Sequence, residues 1–481
     1  MIRRLALVVV VVLASCAEPV PKKLESGFSM ADDSLPFANF AGGYLDSSMD
    51  AELARRMFGD VVCKEGSSPC ELTQPAQGFV NKVNRAMSGG RCEGFAVAAS
   101  LMQAGKISAA DFGGASGRDL KLEENTALQR ELAYWFATQL HPVVTENTHG
   151  YMANEVMPHL VDALKADATE RVRIGMVKKQ GGKVTGGHAV TPIAFYADSA
   201  NEGVYLLRVY DNNVPDAERT LKIDTKNNRW EYEAAENPTK RSSLYYGDDS
   251  NQNPLYFAPV FSRLGELSCF FCDGNTTQVT SHGGAQVSFI DGAVGVIDGL
   301  LKAQPGSSVA PQFSAENDLE GASFVINTTR TDLTVDIRPG DDGTSTDSDS
   351  AEVAVQGGTF EHVLSNLSLV APDQFAITEG GRAATFSNNS RTSLALQSET
   401  LVHGRTVTVR AALEGGSDSV GTSIDEQGVV VIDARGSTGA SVVVTVTTQA
   451  ADGGTVSGTL AYTSEGDSSV GTNAEQLAMN G

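Results

Sequence analysis

The chain has 481 residues, too many for a single hydrophobic core, so two or three domains are expected. Its 59 acidic residues outnumber 36 basic ones, giving a net charge of -23. So acidic a surface, with no basic patch to neutralise phosphates, excludes nucleic acid and anionic lipid headgroups as electrostatic partners.

The first sixteen residues, MIRRLALVVVVVLASC, pair a basic start at Arg3 and Arg4 with an apolar run from Leu5 to Leu13 and small residues before Cys16. That is the layout of a cleaved signal peptide over 1–15. The run falls short of the about 20 apolar residues that cross a hydrocarbon layer, and no later stretch reaches that length, so the mature chain is expected not to span a membrane. Residues 16–45 read as a flexible linker, being rich in Pro, Ser, Glu, Lys and Asp over 17–35.

From about 46 to 175 apolar residues recur every three or four positions. MDAELARRMFGDVV, the segment after Gly94, EENTALQRELAYWFATQL and YMANEVMPHLVDALKADA are predicted helices. From 171 to 235 the period shortens, and RVRIGMV, HAVTPIAFYA, VYLLRVYD, RTLKID and RWEYEA read as strands. The last two are joined by a hairpin turn at Thr225-Lys226-Asn227-Asn228. Helices first and a mostly antiparallel sheet second is the α+β order, here assigned to 46–302.

The stretch AQPGSSVAPQFS at 303–314 marks a linker. Beyond it the runs are nearly all β, predicting a β-rich domain at 315–385, an immunoglobulin-like β-sandwich at 386–470 and a tail at 471–481. The acidic stretch PGDDGTSTDSDSAE at 339–352 matches no calcium-ligand spacing and reads as a solvated loop.

The six cysteines divide by spacing. In an oxidising compartment Cys63 with Cys70, and Cys269 with Cys272, are expected as disulfides. The CFFC around the second pair lacks a thioredoxin-like βαβ frame and further zinc ligands, so it reads as structural, and no metal or other cofactor is expected. With Cys16 at the signal junction, Cys92 is left as an unpaired thiol.

Cys92 lies in GGRCEGFAVAAS, after two glycines and before a small-residue helix. A cysteine at a helix N-terminus faces unpaired N–H groups and the positive end of the helix dipole, the setting that activates a sulfur nucleophile. Ala96, Ala98 and Ala99 let such a helix pack closely on a sheet. A thiol nucleophile needs a proton carrier, and His188 in TGGHAVTPIAFYA, with Gly186 and Gly187 clearing space at a strand start, is the best of the seven histidines. Asp211 and Asn212 stand at the exit of the next strand, where either accepts from the other imidazole nitrogen and fixes the ring. The reading requires these groups to share a water-accessible crevice.

The set GxCxGFA, GGHAV and VYDNN-P resembles the papain-like cysteine peptidase superfamily, and its bacterial branches more than papain itself. The resemblance covers about 60–235. It implies Cys92 as nucleophile, His188 as general base and acid, and Asp211, with Asn212 as alternate, as the orienting group. Peptide or isopeptide bonds in a protein substrate are the implied target. The family's oxyanion glutamine about six residues before the nucleophile is replaced by Ala86 here; Asn84 or Gln77, with the Cys92 N–H, is the expected substitute. The same order of residues also fits transglutaminase-like acyl transfer, although Ala189 and Val190 follow His188 where that family has HAW. A catalytically silent binding or adhesion lipoprotein is the reading from another class. Leu13-Ala14-Ser15-Cys16 resembles the lipobox of bacterial lipoproteins, which implies acylation of Cys16 and an exported chain anchored to the envelope, at the outer membrane or cell surface rather than the inner membrane. Oligomeric state is left open.

Overall fold

The helices begin where local chemistry predicts. Asp50 caps α1 (Ala51–Phe58), its side chain accepting from the Leu53 N–H at 2.9 Å, and the helix buries Leu53, Ala54, Met57 and Phe58. Next, α2 (Gln74–Ala86) opens with a proline in its first turn and buries Ala76, Phe79, Val80 and Val83. The central helix α3 (Cys92–Gln103) is buried along most of its length and lies against α4 (Thr126–Ala137), which Asn125 caps. A Cβ on Gly94 would stand 2.2 Å from the Leu132 carbonyl oxygen, so the two helix backbones are nearly in contact there. Two shorter helices follow, α5 (Pro142–Thr145) and α6 (Val156–Leu164).

This computed structural model describes residues 19–41, 48–180, 183–234, 243–297, 300–313, 323–339, 351–390, 392–402, 405–414, 417–425, 429–436, 441–449, 455–463 and 468–473. The signal peptide, Cys16, most of the acidic stretch at 339–352 and most of the tail lie outside them. Among the described residues, no helix is long and apolar enough to cross a membrane.

The first sheet comprises β1 (Lys23–Glu25), β2 (His149–Tyr151), β3 (Val172–Gln180), β4 (Lys183–Ala197), β5 (Val204–Tyr210), β6 (Glu218–Asp224), β7 (Arg229–Ala234), β8 (Ser243–Gly247) and β9 (Leu255–Pro259). Its order is β2-β9-β3-β4-β5-β6-β7-β8, with β1 paired to β4 and every pairing antiparallel. The predicted hairpin joins β6 to β7, with Asn228 at φ 48. α3 packs on β4, where the Thr191 hydroxyl donates to the Ala96 carbonyl at 3.1 Å.

The remaining strands form two further nine-stranded sheets. One joins β14 (Ser307–Gln312), β15 (Ser323–Thr328), β10 (Thr277–His282), β17 (Ala351–Gln356) and β18 (Phe360–Leu367) to four later strands. The other joins β13 (Leu300–Lys302), β12 (Gly295–Ile297), β11 (Gln286–Phe289) and β16 (Leu333–Arg338) to five later ones, ending with Ser468–Asn473. Val279, Ile326, Val355 and Leu396 of the first share one apolar core with Val287, Ile337, Phe375 and Ile432 of the second, which makes a β-sandwich. The chain is therefore a helical part with an antiparallel sheet, followed by a β-rich part.

Three expectations differ from this arrangement. Residues 28–40 are packed rather than loose: Phe28, Leu35 and Phe40 are buried in the helical core and β1 extends the first sheet. Their apolar contacts lie at irregular intervals inside a polar stretch, and periodicity misses them. The sandwich begins at Thr277, ahead of the linker expected at 303–314, and that stretch carries β14 itself. Finally, one core runs from Val279 to Ile432 in place of separate units at 315–385 and 386–470, because both sheets draw strands from both ranges.

Candidate active site

Cys92 is the first residue of α3, entered through Gly90 at φ 122, a backbone that side-chain-bearing residues rarely adopt. The Arg91 side chain gives no cap, and the first N–H groups of a helix lack partners within it, so the sulfur stands at an electropositive end. The Arg91 N–H donates to Asn39 Oδ1 at 2.6 Å, fixing the turn just before the cysteine.

His188 lies on β4 opposite Met176 of β3; the strand begins five residues earlier, at Lys183, rather than at the histidine. Asp211 follows β5 directly. Its Oδ1 accepts from His188 Nε2 at 2.7 Å and from the Asn213 N–H at 2.8 Å, and its Oδ2 accepts from the Tyr232 hydroxyl at 2.6 Å. The second ring nitrogen, Nδ1, has no hydrogen-bond partner among the described residues. Burial disfavours a charged ring, but the charge and hydrogen bond of the Asp211 carboxylate, together with the nearby Cys92 sulfur, outweigh it and raise the His188 pKa from 6.5 to about 10. Burial also opposes charge on Asp211, yet His188, Tyr232 and the Asn213 N–H hold its carboxyl below the usual range. At neutral pH the imidazole is thus protonated between an ionised carboxylate and the cysteine.

Asn212 has a different task from the one expected of it as an alternate. Its Nδ2 donates to the Cys92 carbonyl at 3.2 Å and the Ala189 carbonyl at 2.9 Å, clamping the start of α3 to the histidine strand. The Asn212 carbonyl in turn accepts from the Asn39 N–H at 2.8 Å. Next to Cys92, buried Glu93 holds Arg173 Nε at 2.5 Å and Arg263 Nη2 at 2.7 Å, and the Arg173 charge interacts with Cys92. Asn39, Tyr232, Arg173 and Arg263 escaped sequence reasoning because each lies in an unremarkable local context far along the chain.

The expected oxyanion donors are elsewhere. Asn84 exchanges hydrogen bonds with the Met49 backbone at 2.8 and 3.0 Å, and exposed Gln77 donates to Asn81. Both line a separate cleft with Glu399 and Thr408. Gln139 is a buried amide whose Oε1 accepts from the Phe313 N–H at 2.8 Å and whose Nε2 has no partner among the described residues. Cys63–Cys70 and Cys269–Cys272 are disulfides, and Cys92 is the free cysteine among the described residues.

One requirement is not met. Cys92, His188 and Asp211 are all 0% exposed, where an open crevice was expected. Cys92 packs in one cluster with Ala96, Val177, Ala189 and Tyr256 of the N-terminal part and with Val296, Phe313 and Phe324 of the sandwich. The cover comes from more than a hundred residues downstream, beyond the range of any local pattern.

No protein-family model, curated protein or solved structure matches this chain.

Proposed function

We propose that this chain is a papain-like thiol hydrolase acting on peptide or isopeptide bonds of a protein substrate. The observation that carries the reading is His188 bonded to buried Asp211, with Cys92 at a helix N-terminus that Asn212 ties to the histidine strand. In that arrangement the sulfur attacks an amide carbonyl and His188 passes its proton to the departing amine. The resulting thioester is then hydrolysed by water, with His188 taking the water's proton. N–H groups at the start of α3 serve as the oxyanion donors in this reading.

The test is alkylation of Cys92 by iodoacetamide, followed by mass spectrometry, in the parent and in His188→Ala. Removing His188 leaves a cavity and an unpaired Asp211, which loosen rather than tighten the cover, so a slower rate in the variant reports the sulfur–imidazole interaction. Equal rates would favour the second reading, a binding scaffold without turnover, which the buried sulfur and the absence of Asn84 and Gln77 from the site support. We further propose that Cys16 carries a lipid that anchors the exported chain to the envelope. Cys16→Ala should then move the protein from the membrane to the soluble fraction, and unchanged fractionation would refute the anchor.

A further inference from the structure

The residue that covers the site is seated as a ligand would be. Phe313, just after β14, lays its ring on two glycines of the first sheet. A Cβ on Gly175 would stand 2.3 Å from its Cζ, and one on Gly187 would stand 3.0 Å from its Cδ1. Neither glycine lies in the left-handed region, so space rather than backbone conformation requires them. The Arg173 guanidinium covers the ring at 4.5 Å from its centroid, and Tyr256 flanks it at 6.4 Å. The Phe313 N–H is taken by Gln139, a main-chain contact that an extended peptide makes whatever its sequence.

Polar contacts tie this edge of the sandwich to the helical part, beside the apolar ones of Ala310 and Val325. Thr145 Oγ1 and Ser308 Oγ are 2.8 Å apart, Asn327 Nδ2 donates to Thr145 Oγ1 at 2.8 Å, and Gln278 Nε2 donates to the Leu140 carbonyl at 2.8 Å. A second seam sets Lys82 on Gln356 at 2.6 Å and Arg85 on Glu352 at 2.5 Å. Interfaces between the parts of a chain commonly carry such polar contacts beside apolar ones, and motion across them is the default expectation. Beside the plug, an open cleft of about 740 Å³ shares Tyr256 and Leu301 with the surroundings of Cys92.

We propose that the site is held latent in cis: Phe313 fills a slot that accepts a bulky aromatic side chain of an extended peptide once the sandwich withdraws. This regulation rests on the thiol hydrolase reading above. The slot is apolar-floored and capped by a cation, which suits a ring; an acidic side chain would lose its water there with the Arg173 guanidinium already paired to Glu93.

Alkylation of Cys92 by iodoacetamide under native conditions tests it in the full chain. Phe313→Ala should raise the rate on the order of a hundredfold, the effect of a large-to-small deletion on a local opening equilibrium, while Phe313→Leu should stay within a few-fold of the parent. N-acetyl-phenylalanine amide should slow Phe313→Ala again, and N-acetyl-aspartate amide should not. Ser308→Asp, which loosens β14 with the slot intact, should also accelerate labelling and serves if Phe313→Ala does not fold. Labelling of both variants as slow as the parent, or equal protection by both amides, would overturn the proposal. Adding His188→Ala separates the two readings. Fast labelling in Phe313→Ala that ignores His188 upholds the plug and defeats the hydrolase, whereas slow labelling in Phe313→Ala that still depends on His188 does the reverse.

Discussion

Replacing Asp211 by Asn isolates the charge that poises His188. Oδ1 can keep its bonds from His188 Nε2 and the Asn213 N–H, while the new Nδ2 faces the Tyr232 hydroxyl, which must turn its hydrogen away. What is lost is the Coulombic support for a fully buried imidazolium. The rise from 6.5 to about 10, net of the burial cost, corresponds to ~5 kcal/mol at 1.36 kcal/mol per unit, and removing one partner of a buried pair costs about 3–5 kcal/mol. With the hydrogen bonds retained, a loss of about 3 kcal/mol near pH 6 is expected. The sign in pH follows from linkage. His188 binds its proton more tightly folded than unfolded, so its contribution is complete below 6.5 and fades as pH rises toward 10. The carboxyl of Asp211 is held low, so its contribution is present above 3.8 and fades as pH falls through its folded value. Urea denaturation from pH 5 to 10 should therefore show the gap between parent and variant widest at the acidic end and narrowing toward pH 10. A gap independent of pH, or no gap, would refute a charged His188.

Gly94→Ala should destabilise by about 1–3 kcal/mol or more, since the new methyl meets the Leu132 carbonyl and α3 must leave α4; an unchanged thermal midpoint would reveal slack between the helices. Glu93→Gln leaves the Arg173 and Arg263 guanidinium groups buried without their carboxylate and should cost about 3–5 kcal/mol in urea denaturation. A loss under about 1 kcal/mol would mean that the arginines re-pair. Burial pulls the pKa of Lys82 from 10.5 down to about 7, partly offset by Glu361, so the unfolded chain binds more protons between those values and stability from this group falls as pH drops from 10.5 to 7. Lys82→Met should remove that slope, and a difference between the variant and parent that is the same at pH 7 and pH 10 would count against it.

Local pattern carried the elements well where one face is buried. EENTALQRELAYWFATQL holds α4 with its buried Leu128, Leu132, Trp135 and Phe136, and the hairpin at 225–228 is where its turn residues put it. It carried α2 less well. Ala76, Phe79, Val80 and Val83 have helical spacing behind a first-turn proline, a signal masked by the polar residues between them. Sheet membership was beyond it. Nothing in GGTFEHVLSNL or RTVTVRAAL states which of two stacked sheets a strand joins, because that choice is made by pairing across long separations.

The site divides along the same line. Cys92, His188 and Asp211 were legible because each needs a particular local setting: a helix start, a strand beside small residues, a strand exit. Their cover was not, since Phe313 follows a strand whose partners are β15 and the short helices at 138–140 and 142–145. Yet one trace of the cover is present in the sequence. Gly187 was read as clearing space around the histidine, and its space is filled by an aromatic ring from the other half of the chain. A glycine that no turn requires, next to a reactive residue, marks a close approach by a group that spacing cannot name. Gly175 on the neighbouring strand repeats the signal across the pairing of β3 with β4. Two such glycines on adjacent strands, two residues out of register and so on one face of the sheet, form a floor wide enough for a ring.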